Sequence, residues 1–401
     1  MALVTELDLP TLDLGAPDLT GEVYHERLAE LRRHGWIASS PLALLVLDRE
    51  AGEFFLRSRA TAFPGREIAA LFGITSGPLY EHIAANLLNL TGDDHRRLRR
   101  IVASRFSPAA ADRWRPTMRS ILEELWAELD GTNTSELVAS LAKPYPARTI
   151  AAVLGAPPED APKLHEWSNW VQRQFDIRAL SSDLARIERA IVESFEYVDA
   201  LLAARRAEPA DDLLSTLLTA EDEGDRLSHH ECVNLALNVL AGGVDTTQSE
   251  LSHALYLFAS HPDQWQLLAD SPELVPQAVQ EVLRFEPITP FTARICIEQI
   301  EHRDVVFPAG TIVAICVERA NREGVGGESF DITAEREGRL LTFGTGPHFC
   351  LGANLARAEL EEAIAFLGPR LPDLAIDGEV SRAGIEGVYG FESLPLRWSG
   401  K

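Results

Sequence analysis

The chain has 401 residues, with 37 Lys or Arg against 61 Asp or Glu, for a net charge of −24. Its 46% hydrophobic and 24% charged residues are the balance of a folded globular protein, which excludes a disordered chain, a collagen and a disulfide-dense secreted scaffold. So acidic a chain also repels phosphate backbones, which argues against nucleic acid as a partner.

The first twenty residues carry neither a basic segment nor a sustained apolar run, so no signal or transit peptide is expected. The early apolar stretch at 42–47 is far short of the ~20 residues of a membrane helix, and no membrane anchor is expected. The four cysteines, Cys232, Cys296, Cys316 and Cys350, form no Cys-x-x-Cys pair, which suits a reducing cytoplasm. Apolar positions three and four apart predict helices near 19–33, 93–105, 112–130, 138–154, 159–176 and 182–207. Strands are predicted within 35–47 and, where β-branched residues gather, at 291–297 and 311–317. The loop Gly324-Val325-Gly326-Gly327 is permissive but too short to separate domains, so one mainly helical domain with minor sheet is expected over residues 1–401.

The helix near 93–105 contains His95-Arg96-Arg97-Leu98-Arg99-Arg100. At about 100° per residue, His95 and Arg99 share a face, while Arg96, Arg97 and Arg100 point away. Taken alone, such a run is a solvated basic face.

Ser228-His229-His230-Glu231 is a capping box, and the helical pattern it opens runs to Ser260, before His261-Pro262. At about 1.5 Å per residue this helix spans roughly 50 Å and must cross the core. Its centre is damaged: Ala241-Gly242-Gly243-Val244-Asp245-Thr246-Thr247 places two glycines, an acid and two hydroxyls in an apolar span. One explanation is a close helix crossing, with hydroxyls bonding back one turn. The other is a helix opened against a flat bound group, with Asp245 and Thr246 handling protons.

Glu281-Val282-Leu283-Arg284 sets opposite charges three apart on one helix, a weak signal by itself. Ala320-Asn321-Arg322 follows the late strands. Then Phe343-Gly344-Thr345-Gly346-Pro347-His348-Phe349-Cys350-Leu351-Gly352 leads through a glycine-rich turn into a helix predicted at 351–366. A cysteine at a helix start meets unpaired N–H groups and the positive end of the dipole, which lower its pKa. A lone cysteine builds neither a zinc site nor an iron–sulfur cluster. It can be the axial ligand of a haem iron, a buried structural cysteine, or a nucleophile beside a histidine.

The last segment resembles the haem-binding loop of the cytochrome P450 family, Phe-x-x-Gly-x-His/Arg-x-Cys-x-Gly, at Phe343, Gly346, His348, Cys350 and Gly352. The damaged helix is similar to the family's oxygen-activation motif, and Glu281 and Arg284 to its Glu-x-x-Arg. Ala320-Asn321-Arg322 resembles its Ala-Asn-Arg-Asp-Pro, although Glu323-Gly324 stand in place of Asp-Pro. The resemblance implies a mainly α fold with small sheets, and haem b (iron protoporphyrin IX) buried between the long central helix and the cysteine-loop helix. Cys350 would bind the iron. His95, Arg99, Arg294 and His348 would hold the haem propionates, with Gly242, Phe343 and Gly352 against the haem. Asp245 and Thr246 would be catalytic, and Glu281 and Arg284 a structural pair.

The same resemblance implies a monomeric monooxygenase without a fused reductase. It would use O₂ and a separate ferredoxin or flavodoxin to hydroxylate or epoxidise a hydrophobic small molecule. A chain of net charge −24 meeting an acidic donor needs a local positive patch, and Arg96, Arg97 and Arg100 are expected to form it. Leu71, Phe72, Leu240, Gly243, Val244, Ile288, Phe291 and Phe391 would line its pocket. A peroxide-driven relative and a haem sensor without turnover are the alternatives.

Overall fold

The capping box at Ser228 starts the central helix as its sequence predicts: the Ser228 N–H donates to Glu231 Oε2 (2.7 Å) and Ser228 Oγ accepts the Glu231 N–H (3.3 Å). In the computed structural model, which describes residues 1–129, 131–222, 227–336, 338–385 and 387–399, this helix is two. His229–Gly243 and Asp245–Ser260 meet at Val244, whose ψ of −69° departs from a regular turn. The two glycines there have different uses. A Cβ on Gly243 would lie 2.4 Å from Ile150 Cδ1, so its missing side chain admits the neighbouring helix Pro144–Leu154. A Cβ on Gly242 would meet nothing within 4 Å, and Gly242 is exposed although it lies at mid-helix.

Helices Pro144–Leu154, Ala161–Gln172, Leu184–Ala207 and Leu213–Asp222 pack on the first half. The second half packs on Val275–Phe285 and on the helix after Cys350, Ala353–Leu367. The largest apolar core fills these contacts, and two smaller cores flank a five-stranded sheet. Its strand order is Ile37–Ser39, Leu44–Val46, Ile312–Cys316, Phe291–Cys296, Thr61–Ala62. Leu44–Val46 runs parallel to Ile312–Cys316, and the other pairs are antiparallel.

The predicted helices and strands are present, with shifted bounds. Continuous helix over 138–154 is replaced by a wide turn, Val138–Ala142, with Lys143 N–H on Val138 O (2.9 Å) before Pro144 begins the helix. Pro144 and Pro146 have no N–H to continue an ordinary ladder backwards. The cysteine helix begins at Ala353, with Gly352 as its cap, rather than at 351. Short helices Arg49–Arg57, Gly65–Leu71 and Pro78–Ala85 carry too few turns to show a period.

Candidate active site

Two left-handed glycines, Gly344 (φ 68°) and Gly346 (φ 74°), fold the chain back on itself before Cys350. The Cys350 N–H then reaches Phe343 O (2.8 Å), and the Phe349 N–H reaches Gly346 O (3.2 Å). A Cβ at Gly346 would lie 2.9 Å from Leu56 O, so the turn also needs glycine to rest on the helix Arg49–Arg57. Cys232, Cys296 and Cys316 are buried, and Cys350 alone is exposed. Protein nonetheless crowds its thiol. Burial pushes the Cys350 pKa up, against the N–H groups of Gly352 and Ala353 and the charges of Arg99 and Arg357. This corrects the expectation of a lowered pKa: desolvation outweighs the helix start while no metal is bound, whereas a metal deprotonates a coordinating thiol outright. Arg357 was missed by sequence reasoning. It lies 4.6 Å over the Phe343 ring, and the clue was a cation about one turn into the helix that follows the cysteine.

Four basic side chains gather beside this cysteine. Arg99, on helix Gly92–Ala103, donates to Phe349 O, and the rings of His95 and His348 lie 4.3 Å apart. Arg294, on strand Phe291–Cys296, is 3% exposed and donates to Ala293 O (2.8 Å). Burial pushes Arg294 down to about 10. Burial, then His95, Arg294 and Arg99, pushes His348 down to about 3. His95 is lowered by burial and by Arg99 and Arg96, and its Nε2 has no hydrogen-bond partner. Among the described residues no carboxylate pairs with any of the four. A group bringing two carboxylates, as haem does, fits this donor set.

Opposite charges are satisfied elsewhere. Arg284 Nε and Nη2 bind Glu281 at 2.7 and 2.8 Å, and Arg284 also donates to Gly327 O (2.7 Å) and Ser329 O (2.8 Å). Asn321 then ties that loop to the cysteine segment, through Thr342 Oγ1 (2.8 Å) and the Leu341 N–H (2.8 Å). On the central helix, the Thr246 hydroxyl donates to Gly242 O (2.6 Å), the back-bond that accompanies the break. Asp245 is buried and accepts from Ser168 Oγ (3.2 Å), and burial raises its carboxyl to about 7.

The sequence pattern of cytochrome P450 matches residues 44–367. Luteothin monooxygenase from Streptomyces thioluteus is 37% identical, over 98% of this chain and 96% of its own. Mycinamicin IV hydroxylase/epoxidase from Micromonospora griseorubida is 33% identical, over 80% of this chain and 77% of its own. The crystal structure of CalO2 superimposes with a TM-score of 0.91 at 28% identity, covering 98% of this chain and 99% of that one. The chain belongs to the cytochrome P450 family. It is a P450 monooxygenase, an oxidoreductase acting on small molecules with haem as cofactor and electrons from a redox partner. Among the described residues, no helix is long and apolar enough to cross a membrane.

The residues expected to line this P450's pocket divide. Leu71 is exposed, Phe72 and Phe291 are half-buried, and Ile288 is buried with its carbonyl on the Tyr389 N–H (2.8 Å). Leu240 and Val244 are buried in the main core, and Gly243 faces Ile150. Phe391 is packed between His253 (4.8 Å), Tyr256 (5.0 Å) and Arg382 (4.9 Å). Gly352 has open space where a Cβ would stand. Of the outward arginines, Arg96 pairs with Asp93 and Arg97 with Glu231, while Arg100 is exposed.

Proposed function

We propose that this P450 inserts one atom of O₂ into a hydrophobic small molecule, by hydroxylation or by epoxidation, with electrons from a separate ferredoxin or flavodoxin. The observation that carries the reading is an accessible cysteine on a glycine-built turn beside four basic side chains that no carboxylate among the described residues answers. Cys350 would bind the iron, and His95, Arg99, Arg294 and His348 the two propionates. Gly242 and Gly352 leave room for a flat ring, and Phe343 packs beneath Arg357. When bound, the haem supplies the reductive activation of O₂.

The protein's own role is proton handling. An acid near pKa 7 gives up and regains a proton readily at neutral pH, and Asp245 has that property through burial. Thr246 already spends its hydroxyl proton on Gly242 O, so its oxygen is left to accept one. The names of two relatives, a monooxygenase and a hydroxylase/epoxidase, support oxygen insertion. An acidic donor protein would meet Arg100, and with it Arg96 and Arg97, whose charges are already partly answered.

Two variants test this. Cys350→Ser should abolish the thiolate-type Soret band of the reduced protein with carbon monoxide, and an unchanged band refutes the ligand. Thr246→Ala should keep haem and substrate binding but divert roughly half or more of the electrons to peroxide or water. Full coupling in that variant refutes the relay.

A further inference from the structure

Asp245 turns its carboxyl toward helix Ala161–Gln172, and the two oxygens differ there. Oδ2 accepts from Ser168 Oγ (3.2 Å). Oδ1 is buried and, among the described residues, has no hydrogen-bond partner, with His165 Nε2 at 3.9 Å. That nitrogen is held 2.8 Å from Gln248 Oε1, one turn along the central helix from Asp245. The His165 side chain is 21% exposed against 6% for Asp245, and it is flanked by the exposed Glu166 and by Lys143. Its open edge therefore faces bulk water. A movement of about 1 Å would carry its N–H from Gln248 to the unpartnered carboxylate oxygen.

We propose that His165 is the solvent-side proton donor to Asp245, passing its Nε2 proton to Oδ1 and regaining one from water. The step is a simple proton transfer: imidazolium and carboxylate become imidazole and carboxylic acid, and the ring then reloads. The proposal rests on the reading that Asp245 and Thr246 deliver protons for oxygen insertion.

The other groups around Asp245 do not fill this role. Ser168 is fully buried and reaches no solvent. Asn169 does not titrate. Arg173 and Lys143 act on the carboxyl only through their charge, which works to lower its pKa. Glu359, from the cysteine helix, lies beside Thr247 and Thr149 and is fully buried. Histidine is the side chain whose ordinary pKa lies in the working range. Burial raises Asp245 from the ordinary carboxylate range to about 7, so it can hold a proton handed to it by an imidazolium, and burial lowers His165, which favours its giving that proton up.

His165→Gln keeps a hydrogen-bonding side chain near Gln248 and removes the titration. In the haem-loaded variant with substrate and reduced ferredoxin, product formed per electron should fall at least about threefold above neutral pH, and the solvent deuterium isotope effect should grow. A merely structural histidine would leave both pH profile and isotope effect unchanged, and that result overturns the proposal. A second measurement needs no turnover. The NMR titration of His165 in the haem-loaded protein should move to lower pKa in Asp245→Asn, because the opposing negative charge is gone, and an unmoved titration also overturns the proposal. If the parent enzyme consumes electrons without an oxygenated product, the monooxygenase reading fails instead, and the NMR result still decides whether the two residues share a proton.

Discussion

Two clusters of buried basic side chains serve the cysteine turn, and they differ in what answers them. In the first, Arg284, Arg319 and Arg322 are each within contact of glutamates: Glu281 for Arg284, Glu318 and Glu328 for Arg319, Glu286 and Glu318 for Arg322. In the second, Arg294 and Arg99 donate to backbone carbonyls, His95 Nε2 has no partner, and no carboxylate among the described residues pairs with these three or with His348. Arg284 and Arg294 are equally buried, at 2% and 3% exposure. Residue type and burial therefore do not separate scaffold from ligand site. Satisfaction does, because a buried charge without a counterion is unfavourable by several kcal/mol unless an anion arrives from outside.

The largest effect should come from breaking the satisfied cluster. Arg284→Ala strips Glu281 of two of its bonds, releases Gly327 O and leaves Ser329 O to Arg336 alone, so it should destabilise the protein by about 3–5 kcal/mol in urea unfolding. A loss under about 1 kcal/mol would mean that the cluster is not the clamp its geometry suggests. Arg294→Met should act with the opposite sign on the haem-free protein. Removing an unanswered buried charge should leave its stability unchanged or raise it by about 1–4 kcal/mol, while haem passes to an acceptor protein faster. Destabilisation of the haem-free form as large as that from Arg284→Ala would erase the distinction between the clusters.

Much of this was legible in the sequence where a local rule was broken. The glycines around Cys350 and the polar insertion after Ala241 both stand out against their surroundings, and both belong to the proposed site. What sequence could not resolve lies in contacts between distant segments. Gly242 and Gly243 are identical neighbours, yet only the second faces Ile150, nearly a hundred positions earlier. Phe391 stands alone in the sequence, and only the fold brings His253, Tyr256 and Arg382 around it. The net rise in the Cys350 pKa depends on how much protein closes over the thiol, which spacing does not encode.

The smallest expected effect sharpens the comparison through pH. His25 bridges the satisfied cluster, with Nε2 2.7 Å from Glu286 Oε1 and Nδ1 3.0 Å from Glu318 Oε1. Burial alone would lower its pKa, but the charge and hydrogen bonds of Glu286 and Glu318 raise it above 6.5. A raised folded value means the stabilisation is fully present below 6.5 and is lost as pH climbs through the folded pKa. On the acid side, burial works to raise Glu318, but Arg319, His25 and Arg322 hold it at about 2, so its stabilisation is present above 4.5 and fades as pH falls toward 2. The urea midpoint of the haem-free parent should therefore decline as pH rises past 6.5, and His25→Gln should flatten that decline. Arg294→Met should retain it, since arginine does not titrate in this window. An equal slope in parent and His25→Gln would show that the bridge contributes nothing to the fold.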